Sequence, residues 1–191
     1  MRLGILLFFV CLSVNLSAQH QHLSGNGYAD SVNKGLIAKD TMKGSPKRIT
    51  MTTIGNTHIH IEYGSPGIKG RTIWGGLVAY DQVWATGAHN ATTIDFSTDV
   101  MIAGKKIKKG TYSFFTIPGK TEWTLILNTR HNQHLADEYN PAEDVVRVKV
   151  RPMKKKVPVQ RLTYTVQREG NNAVIGVEWE YLSVSLPVQL K

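Results

Sequence analysis

The segment TIDFSTDVMIAGKKIKKGTYSFFTI, Thr93 to Ile117, decides how this chain folds. Ile94, Phe96, Thr98, Val100 and Ile102 alternate with Thr93, Asp95, Ser97, Asp99 and Met101, and Ala103-Gly104-Lys105-Lys106 then turns the chain into Ile107 to Ile117. A period of two puts one set of side chains on each face of a strand, and two such runs around a glycine-containing turn predict a β-hairpin. The same period extends in both directions. Arg48 to Thr53 and Thr57 to Tyr63 precede the hairpin. After it come Trp123, Leu125 and Leu127, then Val146, Val148 and Val150, then Leu162, Tyr164 and Val166, then Ile175, Val177 and Trp179, and lastly Leu182 to Val188. About nine strands result, and no window sustains a helical period. One face of nearly every strand is polar, which suits two antiparallel sheets on a shared core. The expected fold is all-β, an antiparallel β-sandwich of jelly-roll type, formed by residues 48–191 as one domain.

The N-terminus reads as an export signal. Met1 and Arg2 are followed by the apolar run Leu3 to Val14 and by Leu16-Ser17-Ala18, so residues 1–18 are expected to be removed after Ala18. The run is too short to span a bilayer. The single cysteine, Cys11, lies inside it behind Phe9 and Val10, which do not suit lipid attachment. The mature chain then has no thiol for disulfides, thiolate catalysis or cysteine-bound zinc. A periplasmic or secreted location follows. Lys and Arg number 23 against 14 Asp and Glu, which favours anionic partners, and outside the cytoplasm those are anionic envelope glycans or lipid head groups rather than nucleic acid. Residues 19–47 are polar and without periodicity, as expected of a flexible arm outside the fold. That arm holds Asp30-Ser31-Val32 and Asp40-Thr41-Met42, patterns similar to a bacterial O-glycan acceptor.

Gly64 to Thr93 joins two strand patterns with a segment that is neither helical nor evenly alternating. Ordered loops of such length usually carry function. Its glycines exclude a helix, and its aromatic residues exclude a disordered linker. Trp74, Tyr80 and Trp84, with Lys69, Arg71, His89 and Asn90, make it a candidate shallow site for a glycan or other small ligand, since aromatic faces with a few directed hydrogen bonds suit sugars. Packing of the tryptophans beneath the loop is the plainer alternative. Asn90-Ala91-Thr92 has the form of an N-glycan sequon but reads better as a turn.

A second constellation lies in Thr57-His58-Ile59-His60-Ile61-Glu62-Tyr63, where alternation places His58, His60 and Glu62 on one face. Two imidazoles and a carboxylate form a ligand set for a divalent metal, and His89 is the leading candidate for a third ligand from outside the strand. Strand spacing makes convergence of all three side chains awkward, and a solvent-facing strand requires polar residues in any case. No cofactor is required, and a divalent ion is the one this set would take. Hydrolase machinery does not assemble: there is no Gly-x-Ser-x-Gly, and Ser65, Ser97 and Ser113 have no marked partner. The run Gly64 to Arg71 lacks the Gly-Lys-Ser/Thr ending of a phosphate loop.

Ser65-Pro66, Lys69-Gly70-Arg71, Trp74-Gly75-Gly76-Leu77-Val78, Val83-Trp84, Thr86-Gly87-Ala88, Ala91-Thr92-Thr93-Ile94, Gly110-Thr111-Tyr112-Ser113, Thr116-Ile117-Pro118 and Glu122-Trp123 together resemble the exported bacterial family catalogued as domain of unknown function 2911. Asn128, Tyr139, Glu143-Asp144-Val145 and Glu178-Trp179 continue the resemblance through the ordered part of the chain. It implies no activity. In the family an arginine typically follows the tryptophan matching Trp84, and Asn-Glu follows the Gly-Ala pair; here Ala85 and His89-Asn90 stand in those places. Two functions remain: a non-catalytic envelope module, ligand-binding or structural, and a metal-dependent enzyme or metal-binding protein using His58, His60 and His89 or Glu62.

Overall fold

The computed structural model describes residues 25–190, so the expected export signal of residues 1–18, with Cys11, and His20 and His22 lie outside the described residues. Ten strands form an all-β, antiparallel sandwich. Its first layer is a six-stranded sheet in the order β1-β2-β3-β6-β7-β8, comprising Lys47–Ile54, Thr57–Gly64, Thr93–Phe96, Gly110–Ile117, Trp123–Asn128 and Asp144–Val150. The second layer is the long hairpin of β9 (Met153–Glu169) and β10 (Asn172–Val188), with the small hairpin β4 (Val100–Ile102) and β5 (Lys105–Ile107) attached to its end by a bridge between Met101 and Gln189.

Alternation does the burying. In β2, Ile59, Ile61 and Tyr63 are buried while His58, His60 and Glu62 lie on the outer face, opposite Thr53, Met51 and Ile49 of β1. Phe96, Phe114, Leu125 and Leu127 from the first layer meet Leu162, Tyr164, Ile175, Val177 and Leu186 from the second. Each such side chain taken fully from water contributes about 1.5–3 kcal/mol. On β6 and β7 both faces are covered. Phe115 and Ile126 point away from the main core into a smaller cluster with Ala85 and Ala91, against which Leu135 and Tyr139 pack. The adjacent apolar pairs Phe114-Phe115 and Leu125-Ile126 mark strands buried on two sides.

Two strand expectations change in detail. The run from Ile94 to Ile102 breaks into β3 and β4 because its polar residues bind backbone: the Ser97 hydroxyl accepts from the His58 N–H at 2.7 Å and Asp99 from the Lys109 N–H at 2.9 Å. Short polar side chains compete with ladder bonding in this way, and here they let the chain cross from one layer to the other. Conversely, Ile175 to Val188 is continuous in β10, where register shifts at Glu180 and a φ of 51° at that residue absorb the bend.

The segment expected to be a flexible arm has a different role over its described part. Helix α1 (Gly25–Asn33) buries Ala29 and Val32, three residues apart on one face, against the sandwich. Asn33 donates to the Arg161 carbonyl at 3.0 Å and accepts the Arg161 N–H at 2.8 Å. The Arg161 guanidinium, fully buried, pairs with Asp40 at 2.8 Å and donates to the carbonyls of Ser65 and Met42. Polarity concealed this docking, because the segment is ordered by polar partners, Arg48 on Asp30, Lys69 on the Met42 carbonyl and the buried Arg161 on Asp40, rather than by a broad apolar face.

Candidate functional site

The long loop after β2 is built in three passes. Ser65 to Ile68 cross to the second layer and pair with β9, the Ile68 N–H reaching the Gln160 carbonyl at 2.8 Å and the Leu162 N–H reaching the Pro66 carbonyl at 3.0 Å. Ser65 is buried and donates to the Leu162 carbonyl at 2.7 Å, which makes it a structural tie. Residues 72–78 then form a compact turn anchored by buried Ile73 and Val78. Trp84 finally returns to the first layer and exchanges both backbone hydrogen bonds with Thr116, so this pass lies beside β6 where β3 ends.

The passes meet at two glycines. A Cβ on Gly64 would stand 2.2 Å from the Ala88 carbonyl oxygen, and one on Gly87 would stand 2.6 Å from the Thr92 hydroxyl. Between these points Thr86 is fully buried with φ of 50°, a left-handed conformation that β-branched residues rarely adopt. Its surroundings over-determine it. The Thr86 hydroxyl donates to Thr116 at 3.0 Å, while its carbonyl accepts from Thr92 at 3.1 Å and from the Tyr164 hydroxyl at 2.8 Å. Burial holds the Tyr164 phenol well above its ordinary pKa, so it stays a neutral donor.

Outside this node lies a cleft of about 270 Å³. Trp84, Trp179, Leu77, Val78, Leu135 and Pro66 form its apolar wall, Ser45 and Ala88 its edge, and Arg71 its single charged group. Ser45 and Ala88 also line an adjoining hollow of about 80 Å³, whose lining includes Lys47, Glu62, His89 and Asn90. Glu62 and Lys47 pair at 2.6 Å there. The two spaces lie side by side, sharing Ser45 and Ala88, with Arg71 in the larger and Lys47, Glu62, His89 and Asn90 in the smaller.

All four indoles of the chain gather behind the cleft. Trp74 meets Trp123 at 4.8 Å and Trp179 at 5.9 Å edge to face, while Trp84 stacks on Trp179 at 5.8 Å. Trp74 is thus part of the core, and Trp84 belongs to both core and cleft, its Nε1 donating to the Gly87 carbonyl at 3.3 Å. The indole N–H groups of Trp74, Trp123 and Trp179 are buried with no partner among the described residues. Tyr80 packs over Gly75, and the Lys69 ammonium is held by the Met42 carbonyl, so neither of these two lines the cleft.

The structure therefore brings Arg71 and Trp84 together, and places His89 and Asn90 in the hollow beside Glu62. It does not bring the histidines together. His58 and His60 remain on the outer face of β2 with ring centroids 6.4 Å apart, His58 sharing a 2.9 Å hydrogen bond with Thr53. Among the described residues no group of three or more His, Cys, Asp or Glu side chains is placed to hold a metal ion. Sequence reasoning missed the small and apolar loop residues of the wall, such as Leu77 and Val78, and also Ser45, Leu135 and Trp179, which reach the cleft from outside the loop. Leu135 is held there by its own N–H, which donates to the His89 carbonyl at 2.8 Å, and a polar network braces the segment that follows. Asp144 accepts from Asn128, Tyr139 and Arg147, each at 2.7 Å, and Arg130 grips Glu143 through two parallel bonds at 2.7 and 2.8 Å. Burial and the Asp144 carboxylate push the Tyr139 phenol up to about 12.

An antiparallel β-sandwich with a loop-built amphipathic cleft is the class of protein that this fold and site define. The chain matches the family described as a protein of unknown function (DUF2911) over residues 45–188, and it belongs to that family. No curated protein and no solved structure matches it significantly. Among the described residues no helix is long and apolar enough to cross a membrane.

Proposed function

We propose that this protein is an exported, non-catalytic envelope module that holds a small, sugar-containing ligand in the cleft between its long loop and the sandwich. One observation carries the reading: half-buried Trp84 faces a concave space with an apolar wall and one guanidinium, beside a small hollow lined by Lys47, Glu62, His89 and Asn90. Sugars present an apolar ring face and hydroxyl edges, and such a surface matches both. The over-determined backbone at Thr86 favours binding, because strain held in place by three hydrogen-bond partners keeps the site formed before the ligand arrives. The surplus of basic residues draws anionic envelope material toward the surface.

Tryptophan fluorescence and calorimetry of the protein without its export signal, titrated with neutral and acidic saccharides, test this reading. A saturable change is expected, and Trp84→Ala should weaken it by at least about tenfold, as loss of a stacking aromatic does. A flat response across the panel would refute the proposal.

A further inference from the structure

We infer that the ligand carries a carboxylate and that Arg71 is the group that recognises it, an inference that rests on the binding reading of the cleft. Arg71 is exposed at the rim, and its side chain is already oriented. Nε donates to the Ile68 carbonyl at 3.2 Å, and one terminal nitrogen donates to the Gly67 carbonyl at 2.5 Å. A guanidinium has five N–H donors, so these bonds set its plane while leaving Nη1 and part of Nη2 unspent. Neither bond neutralises the charge.

The other cations near this surface are occupied. Lys47 pairs with Glu62, the Lys69 ammonium is bound by the Met42 carbonyl, and Arg161 is buried against Asp40. No carboxylate among the described residues lies within ion-pair distance of Arg71. A planar fork held in this way matches a carboxylate in two parallel bonds, and little side-chain freedom remains to be lost on binding.

The neighbouring wall limits the rest of the ligand. Trp84, Trp179 and Leu77 stand beside Arg71, and a space of about 270 Å³ takes a molecule of one or two rings. Arg71 is the single charge lining the cleft, and its planar fork pairs with one carboxylate through two parallel bonds. The chemistry that fits is a hexuronic-acid type of ring, apolar on one face and singly charged at one end.

Calorimetric titrations with glucuronate, glucose and glucose 6-phosphate distinguish the possibilities. Glucuronate is expected to bind at least about tenfold more tightly than glucose, as a charge-assisted pair implies, with the advantage shrinking as salt rises. Arg71→Met should erase that advantage, and Arg71→Lys, which keeps the charge but not the fork, should restore only part of it. Melting temperatures of both variants establish that they are folded. Equal binding of glucuronate and glucose by the unaltered protein, an advantage that survives Arg71→Met, or tightest binding of glucose 6-phosphate would each overturn the carboxylate assignment and leave the cleft reading standing. Silence with all three sugars, unchanged in Trp84→Ala, would remove both.

Discussion

Thr86, Gly64 and Tyr164 show how single residues keep the cleft open. A threonine at φ of 50° costs about 1–3 kcal/mol and persists only while its neighbours hold it. Tyr164→Phe removes the hydroxyl that donates to the Thr86 carbonyl but leaves the Thr92 hydroxyl on the same acceptor. The expected loss is about 1–2 kcal/mol in chemical denaturation, with little change in fold by circular dichroism. Gly64→Ala acts on the opposite side of the node. Its new methyl group would meet the Ala88 backbone oxygen at 2.2 Å, and backbone cannot move aside as a side chain can. About 1–3 kcal/mol of destabilisation is expected, together with displacement of Ala88 from the edge shared by the cleft and the hollow. A Gly64→Ala protein of unaltered stability and unaltered ligand response would contradict this account of the node.

At the scale of elements, period-two alternation made most strands legible, and what escaped it had specific physical causes. Ile59, Ile61 and Tyr63 are buried as their spacing predicts, because one face of β2 has a core to meet. The division of β3 from β4 was not legible, since Ser97 and Asp99 also fit the polar positions of an unbroken strand and only their backbone partners reveal the crossing. Helix α1 escaped as well, because two apolar contacts, Ala29 and Val32, make too faint a helical period. Asp99 gives the crossing a pH signature. The backbone N–H of Lys109, followed by the Lys106 ammonium, lowers its pKa from 3.8 to about 2. A carboxylate whose pKa falls on folding stabilises the native state fully above its unfolded value, and this contribution disappears as pH drops through the folded one. Melting curves should therefore place Asp99→Asn below the unaltered protein at pH 6, with the two converging between about pH 4 and 2. A constant gap down to pH 2 would show that the carboxylate charge is not what secures the turn.

For the molecule as a whole, the candidate site was half legible, because composition reveals a loop whereas convergence in space does not. Arg71, Trp84, His89 and Asn90 stand out in the loop itself, but Ser45, Leu135 and Trp179 arrive from three other parts of the chain. Ser45 arrives on the docked N-terminal segment, and that segment depends on Arg161. Residues 25–44 precede the stretch that matches the family, yet they cover an arginine within it so completely that no solvent reaches its side chain. Tyr28 closes the arrangement, its ring 5.6 Å from the guanidinium carbon. Removing one partner of a buried ion pair leaves the other charge desolvated and costs about 3–5 kcal/mol, whereas removing both costs much less. Asp40→Ala is accordingly expected to destabilise by that amount and to speed trypsin cleavage after Lys39 and Lys43. Arg161→Met should also destabilise, since the Ser65 carbonyl loses its donor and the Met42 carbonyl keeps only Lys69. The double variant is the informative measurement. It should be less destabilised than the sum of the two single changes by about 0.5–3 kcal/mol, as expected for groups in direct contact. Strict additivity would mean that the segment is held by α1 and its backbone bonds alone, and that the wall it contributes at Ser45 does not depend on the buried pair.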